Sequence, residues 1–91
     1  MSRREQADAV WHAAMPLIER ATSSMDEAVF EDLSFSYTDR ELVVTSGFPQ
    51  HLILARQRLF PVFTKAGWVC SEDVARGRNR LVLRRNFLRV V

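Results

Sequence analysis

Apolar residues near the start of the chain recur every three or four positions, which is the period of an α-helix with one buried face. They are Ala7, Val10, Trp11, Ala14, Leu17, Ile18 and Ala21. Ser2 followed by Glu5 has the spacing of a capping box, in which the two side chains satisfy free backbone N–H groups at a helix start. We therefore predict a first helix that begins at Ser2 and ends near Ala21.

A strict two-residue alternation of apolar and polar positions follows, which is typical of a strand with one buried face. Leu33, Phe35 and Tyr37 alternate with Ser34, Ser36 and Thr38. The polar segment 22–27 before this strand contains a second possible cap, Ser24 with Glu27, and predicts a single helical turn. After a polar turn at 38–41, the β-branched run 42–45 predicts the returning strand of a hairpin.

The second half repeats the change from helical to strand spacing. Ser46, Gly47 and Pro49 predict a helix start, and Gly67 predicts its C-terminal cap. The apolar positions between them cover about half of the helix circumference; they are Leu52, Ile53, Ala55, Leu59, Phe60, Val62, Phe63 and Ala66. We predict a third strand at 68–71, a loop at 72–79 and a fourth strand at 80–85 that points Leu81 and Leu83 inward.

Two seven-residue segments resemble each other, and each lies late in a predicted helix. They are MPLIERA at 15–21 and FPVFTKA at 60–66. The order helix, hairpin, helix, hairpin repeats as well. We therefore predict a single α+β domain over 1–91, an αββαββ pseudo-two-fold repeat with halves 2–46 and 47–86 and a tail at 87–91. Its four-stranded antiparallel sheet carries two Pro-bent helices packed on one face.

The two prolines of these segments fall on the solvent side of their helices. Projected along the helix, Pro16 and Pro61 each lie about 180 degrees from the first core residue of their helix, Ala7 or Leu52. A proline there removes a backbone hydrogen bond that water can replace, and it bends the helix convex toward solvent. We expect both prolines to shape the helices and to take no part in binding.

Composition restricts the class of protein. A chain of 91 residues with 47% hydrophobic and 26% charged content is large enough for one core but too small for two. The longest apolar run, 52–55, is far shorter than the roughly 20 residues of a membrane span, and the start lacks the pattern of a signal peptide. Cys70 is the single cysteine. We expect a cytoplasmic protein with no membrane association and with Cys70 as a small core residue.

Charge is distributed unevenly along the chain. Residues 1–45 contain 4 basic and 9 acidic side chains, whereas 46–91 contain 9 basic and 2 acidic ones. The arginines concentrate in the last predicted hairpin, where the candidate contacts for an anion or a nucleic acid are Arg76, Arg78, Arg80, Arg84 and Arg85. A guanidinium suits phosphate recognition, but the same arginines can form a solvated loop that pairs with the acidic first half.

The predicted strand phase leaves one face of the sheet without helices. That face presents Ser34, Ser36, Val43, Thr45, Val69, Ser71, Arg80, Val82 and Arg84. It has no aromatic side chain on which bases can stack, which disfavours readout of single-stranded RNA on the sheet. Small side chains allow another sheet to pack closely. We therefore expect a homodimer.

Candidate chemistry is sparse. Arg56 falls on the apolar side of the second predicted helix, where we expect either a stem at the core edge with a hydrated head or a pair with an acid such as Asp8 or Glu31. The alternative is a ligand-binding residue in a groove between the helices. His12 and His51 have no metal-binding partner at helical spacing, and the three glycines stand apart from one another. We expect no metal, no cofactor and no enzyme activity.

These observations lead to two functional hypotheses. The first is a small non-enzymatic adaptor that binds another macromolecule, with protein as the favoured partner, and that forms a homodimer. The second is a nucleic-acid-binding accessory protein that contacts phosphates through the arginine-rich C-terminal hairpin, with an affinity that falls steeply with salt.

Overall fold

Three helices and four strands make up the part of the chain that the computed structural model describes, residues 2–75 and 78–85. The helices are α1 (Arg3–Thr22), α2 (Glu27–Asp32) and α3 (Pro49–Lys65). The strands are β1 (Leu33–Tyr37), β2 (Glu41–Ser46), β3 (Trp68–Ala75) and β4 (Arg78–Arg85). All strand pairs are antiparallel, in the order β1-β2-β4-β3. The predicted α+β class and four-stranded antiparallel sheet are confirmed.

The first helix begins as predicted. Ser2 Oγ accepts a hydrogen bond from the Glu5 backbone N–H at 3.2 Å, and Glu5 Oε1 accepts one from the Ser2 backbone N–H at 3.3 Å. The capping box is therefore complete. The buried residues of α1 are Val10, Ala14, Ile18 and Ala21. Although α1 has 20 residues, no helix within the described ranges is long and apolar enough to cross a membrane.

The helical turn before the first strand lies later in the chain than predicted. It is the six-residue helix α2, and its N-cap is Asp26, whose Oδ1 accepts a hydrogen bond from the Ala28 backbone N–H at 2.8 Å. The predicted cap, Ser24 with Glu27, is wrong. A carboxylate is the stronger acceptor for a backbone N–H, and starting at Glu27 allows Val29 to be buried at 8% exposure.

The second hairpin is longer than predicted. Residues 72–75 and 78–79 were expected in a loop, but they extend β3 and β4, with Asp73 opposite Arg80 and Val74 opposite Asn79. The polar composition of this segment favoured a loop in the sequence. The charged residues remain in the strands because they find partners across them: Arg80 Nε donates to Asp73 Oδ2 at 2.7 Å. Such pairing offsets the poor strand propensity of the individual residues.

The helices pack on one face of the sheet, as predicted. Leu42, Val44, Leu81 and Leu83 point toward the helices and have no exposed surface. They meet Leu59 and Phe63 of α3 in one core cluster. Phe63 packs edge to face against Trp68, with ring centroids 4.9 Å apart. The predicted inward phase of Leu33, Phe35, Tyr37, Leu81 and Leu83 agrees with the strand register.

The sequence predicted the C-terminal end of α3 correctly, but it did not predict how the N-terminal end is capped. Gly67 follows the helix with a φ of +94°, a conformation that suits glycine at a C-terminal cap. At the other end, Pro49 is the first helical residue and Phe48 is the N-cap, with no side-chain cap bond. Ser46 was predicted to help cap this end. Instead its hydroxyl donates to the Phe48 carbonyl at 2.7 Å.

Candidate interaction surfaces

One side of the sheet is not covered by any described element; we call it the open face. Its residues follow from the strand register: Ser34, Ser36, Glu41, Val43, Thr45, Val69, Ser71, Asp73, Arg80, Val82 and Arg84. The nine residues that the alternation placed on this face are all there. Glu41 and Asp73 lie on the open face as well, although the sequence predicted their segments as a turn and a loop.

An uncharged row crosses the middle of the open face from one edge strand to the other. Ser36 lies opposite Val43, Val43 opposite Val82, and Val82 opposite Ser71. Val82 is only 8% exposed, because its neighbours on the same face surround it. Val69, beside this row on β3, is 55% exposed. The centre of the open face therefore has small, neutral side chains.

The two described arginines of the open face are both paired with carboxylates. Arg80 Nη2 lies 2.6 Å from Asp73 Oδ2, and Arg84 Nη2 lies 3.3 Å from Glu41 Oε2. Exposed pairs of this kind add little to stability. Their consequence is electrostatic: the charge of each of these two guanidinium groups is balanced by a carboxylate on the same face.

The five arginines proposed for nucleic-acid contact do not form one surface in the described residues. Arg85 is opposite Trp68 and lies on the helix side of β4, so it points away from Arg84. Arg76 lies outside the described residues. Arg78 lies in β4 opposite Ala75. The strand alternation thus separates side chains that are adjacent in sequence.

Arg56 lies at the edge of the core beside β3. Its Nε is 3.7 Å from Glu72 Oε1, and its guanidinium carbon is 5.5 Å from the centre of the Phe60 ring. The expected partners, Asp8 and Glu31, were wrong, because Glu72 is in a strand that passes beside α3 and not in a loop. The side chain is 53% exposed, as expected of a long stem with a hydrated head.

A groove does exist between the C-terminal ends of α1 and α3, but Arg56 does not line it. The groove has a volume of about 490 Å³ and is lined by Arg20, Pro61, Val62, Lys65 and Ala66. Its two cations, Arg20 and Lys65, lie in the last turns of their helices, where a positive charge complements the helix dipole. That local role is sufficient to explain both residues.

Asp32 connects the end of α2 to the beginning of α3. Its Oδ2 accepts hydrogen bonds from the Gly47 backbone N–H at 3.1 Å and from His51 Nδ1 at 2.8 Å. A Cβ on residue 47 would approach Asp32 Oδ1 to 3.0 Å, so a larger residue there would push the carboxylate away by a few tenths of an ångström. No spacing in the sequence indicates this site, because Asp32 is 15 and 19 residues away from its two partners.

Hydrogen bonding changes the acidity of Asp32. The bond from His51 is the largest cause that lowers the pKa of Asp32 below its ordinary value of 3.8, and the bond from Gly47 acts in the same direction. Partial burial opposes them by raising the pKa. The carboxylate form is therefore the form that the folded protein favours, and it holds Gly47 and His51 together where α3 begins.

Cys70 has the environment of a packing residue. It is partly buried against the core, and burial raises the pKa of its thiol, although the hydrogen bond from Thr64 acts in the opposite direction. A thiol with a raised pKa has little of the reactive thiolate at neutral pH. The described residues also contain no group of three histidine, cysteine or acidic side chains arranged to hold a metal ion.

We predict that Asp32→Asn weakens the fold at neutral pH and reduces its loss of stability in acid. Because the pKa of Asp32 is lowered in the folded state, its carboxylate stabilises the fold fully above its ordinary pKa of 3.8. That stabilisation is lost as the pH falls through the lowered pKa. Urea denaturation between pH 5 and pH 3 should therefore show a shallower decline in the free energy of unfolding for Asp32→Asn than for the unchanged protein.

The matched control is Asp8→Asn. Asp8 is exposed on α1, and its carboxylate has no ion pair or hydrogen bond within the described residues. This variant should follow the unchanged protein across the same pH range. Equal declines for Asp32→Asn and the unchanged protein would show that the Asp32 contacts do not stabilise the fold.

Comparison with known proteins adds no further constraint on these surfaces. No protein-family description matches the chain, and no curated protein and no solved structure matches it significantly.

Proposed function

We propose that this protein is a small non-enzymatic interaction protein that binds other proteins and forms a homodimer through the open face of its sheet. The observation that carries the proposal is the uncharged central row of that face, Ser36, Val43, Val82 and Ser71. Valine, serine and threonine side chains allow two sheets to pack about 10 Å apart. A second copy of the same face has the same small side chains and suits this distance.

The charges of the open face also favour a second copy. Each ion pair, Arg80 with Asp73 and Arg84 with Glu41, is internally neutral and lies beside the central row. Paired charges of this kind cause less like-charge repulsion between two copies than unpaired arginines or carboxylates would. A two-fold axis then brings the same set of residues together from both copies, as in most homodimers.

The size of the face predicts a weak dimer. Strands about 4.8 Å apart and about 3.3 Å long per residue make a four-stranded face of roughly 400 Å² in plan. Side-chain relief makes the accessible surface larger than this plan area. A standard stable interface buries about 800 Å² on each partner. The open face is small compared with such an interface, so we expect a weak dimer with a dissociation constant on the order of micromolar.

We predict that Val69→Asp disrupts the dimer. Val69 is exposed by 55% on the open face, and a carboxylate there would have to lose its water when the second copy packs against it, which costs several kcal/mol. Each dimer carries two copies of the substitution, so dissociation should increase at least 100-fold. Sedimentation equilibrium over a concentration series measures the effect directly.

The matched control is Val74→Asp. Val74 is on the same edge strand and is 69% exposed, but it points to the helix side of the sheet. It should leave the dimer unchanged, and circular dichroism should show both variants folded. A monomeric mass for the unchanged protein at millimolar concentration, or equal effects of the two substitutions, would refute dimerisation through the open face.

Nucleic-acid binding is the alternative, and the excess of basic residues in 46–91 supports it. It requires Arg80 and Arg84 to exchange their carboxylate partners for phosphates. Fluorescence anisotropy with a labelled 20-nucleotide single strand and a 20-base-pair duplex separates the two hypotheses. Under the leading proposal we expect no binding at 50 mM salt up to about 100 μM protein. Micromolar binding that falls steeply with salt and is lost in Arg80→Ala would establish the alternative.

We also infer that the two halves of the chain are related as a repeat, with both prolines bending their helices. The order β1-β2-β4-β3 supports this, because it places the second strand of each hairpin at the centre of the sheet. Pro16 and Pro61 both lie inside helices and are exposed. Such prolines bend a helix convex toward solvent.

For Pro61→Ala we expect a straighter α3 in a crystal structure and a fold that is more stable by up to about 3 kcal/mol, the cost of an interior proline. The dimer should be unaffected, because Pro61 is on α3 and not on the open face. If Pro61→Ala stays folded and yet loses the dimer, proline acts in binding and the inference fails.

A further inference from the structure

The two edge strands of the sheet differ in their protection against pairing with another strand. Edge strands commonly carry charges, prolines or bulges that prevent such pairing. On β3, Glu72 and Asp73 supply adjacent charges, and each is held by an arginine, Arg56 or Arg80. Strand β1 has the sequence Leu-Ser-Phe-Ser-Tyr, with no charge and no proline. Its register with β2 continues without a bulge.

The hairpin geometry identifies the backbone groups on the outer side of β1. The Thr38 N–H donates to the Glu41 carbonyl at 2.9 Å, which makes Thr38 and Glu41 a hydrogen-bonded pair. Because such pairs alternate along antiparallel strands, Ser34 and Ser36 bond to β2, whereas Phe35 and Tyr37 direct their N–H and C=O groups outward. No described group bonds to these outward groups of Phe35 and Tyr37.

Aromatic rings flank this edge on the helix side of the sheet. Phe30 packs against Phe35 with ring centroids 6.2 Å apart, and Tyr37 stacks on Trp11 at 5.1 Å. Phe30 and Tyr37 remain about two-fifths exposed, at 39% and 40%. The edge therefore offers apolar contact area beside its backbone groups. On its other side the small Ser34 and Ser36 leave room for small side chains.

The segments that flank the β1 edge contain more acidic than basic side chains. Glu27 and Glu31 lie on α2 just before the strand, and Asp39 lies in the turn just after it. None of these three carboxylates has an ion pair among the described residues. Arg40 is the single basic residue in the segment 27–40. A strand with basic residues at both ends would complement this charge.

We propose that the β1 edge binds an extended segment of a partner protein, which adds to the sheet as a fifth, antiparallel strand. The segment has apolar side chains at alternate positions against Phe30 and Tyr37, small polar ones between them, and basic residues at its ends. Main-chain bonds supply affinity in this mode, and the alternate side chains supply specificity. The proposal specifies the partner that the proposed function leaves open, and it does not depend on the dimer.

The probe is the synthetic peptide Lys-Lys-Val-Ser-Val-Ser-Val-Lys-Lys. Its central valine lies opposite Phe35, where the two residues exchange both backbone hydrogen bonds, and its serine N–H groups point away from the protein. In ¹⁵N NMR titrations we expect binding in the high micromolar range, with shifts concentrated at the amides of 33–37. The amides of Phe35 and Tyr37 should also become protected from hydrogen exchange.

N-methylation of the peptide tests the strand pairing. A methyl group on the central valine nitrogen removes the donor to the Phe35 carbonyl, and affinity should fall at least tenfold. A methyl group on a serine nitrogen removes no bond to the protein and should change affinity less than twofold. Equal losses, or absence of binding at 1 mM peptide, would overturn the proposal.

Matched variants of the protein locate the binding edge. Ser36 and Ser71 are both exposed on the open face, on the two opposite edge strands. Ser36→Lys should weaken binding of the basic peptide at least fivefold, whereas Ser71→Lys should not. Shifts centred on the groove at Arg20 and Lys65, with none at 33–37, would assign the peptide to another site and refute the proposal. We expect Val69→Asp to bind the peptide with unchanged affinity, which would show that the β1 edge and the dimer surface are separate sites.

Discussion

Burial of the helix-facing side of the sheet is the constraint on which the rest of the structure depends. Leu42, Val44, Leu81 and Leu83 have no exposed surface beneath Leu59 and Phe63. Since side chains alternate along a strand, a slip of one residue would place valine, serine and arginine in the core instead. The register that buries the leucines therefore also determines the composition of the open face.

Charge is organised by the same register. Arg80 and Arg84 appear in the sequence as part of a basic cluster, but in the sheet each lies next to a carboxylate on a neighbouring strand. Arg85 is on the opposite side. Part of the positive charge of the second half of the chain is therefore neutralised within the sheet. Three acidic residues of the first half, Glu27, Glu31 and Asp39, lie just before or just after β1, the edge strand without charges.

Much of the fold could be predicted because its elements have strong local periodicity. The two long helices, the first hairpin and the inward phase of β4 follow from spacing alone. The extended β3 and β4 were missed because Glu72 and Asp73 are poor strand formers whose partners, Arg56 and Arg80, come from other elements. Of the candidate site residues, Arg80 and Arg84 were placed correctly on the open face, whereas Arg56 was assigned the wrong partners.

The sequence by itself determined which side of each strand faces the helices and most of the buried positions, because hydrophobic periodicity depends only on local geometry. Ile53 is the exception on α3: it was expected toward the core but is 55% exposed. It also determined the start of α1 and the glycine cap that ends α3. Only the tertiary structure decided the strand order, the neutralisation of the arginines and the contact of Asp32 with Gly47 and His51. These depend on which distant segments meet in space, and spacing along the chain carries no signal for that.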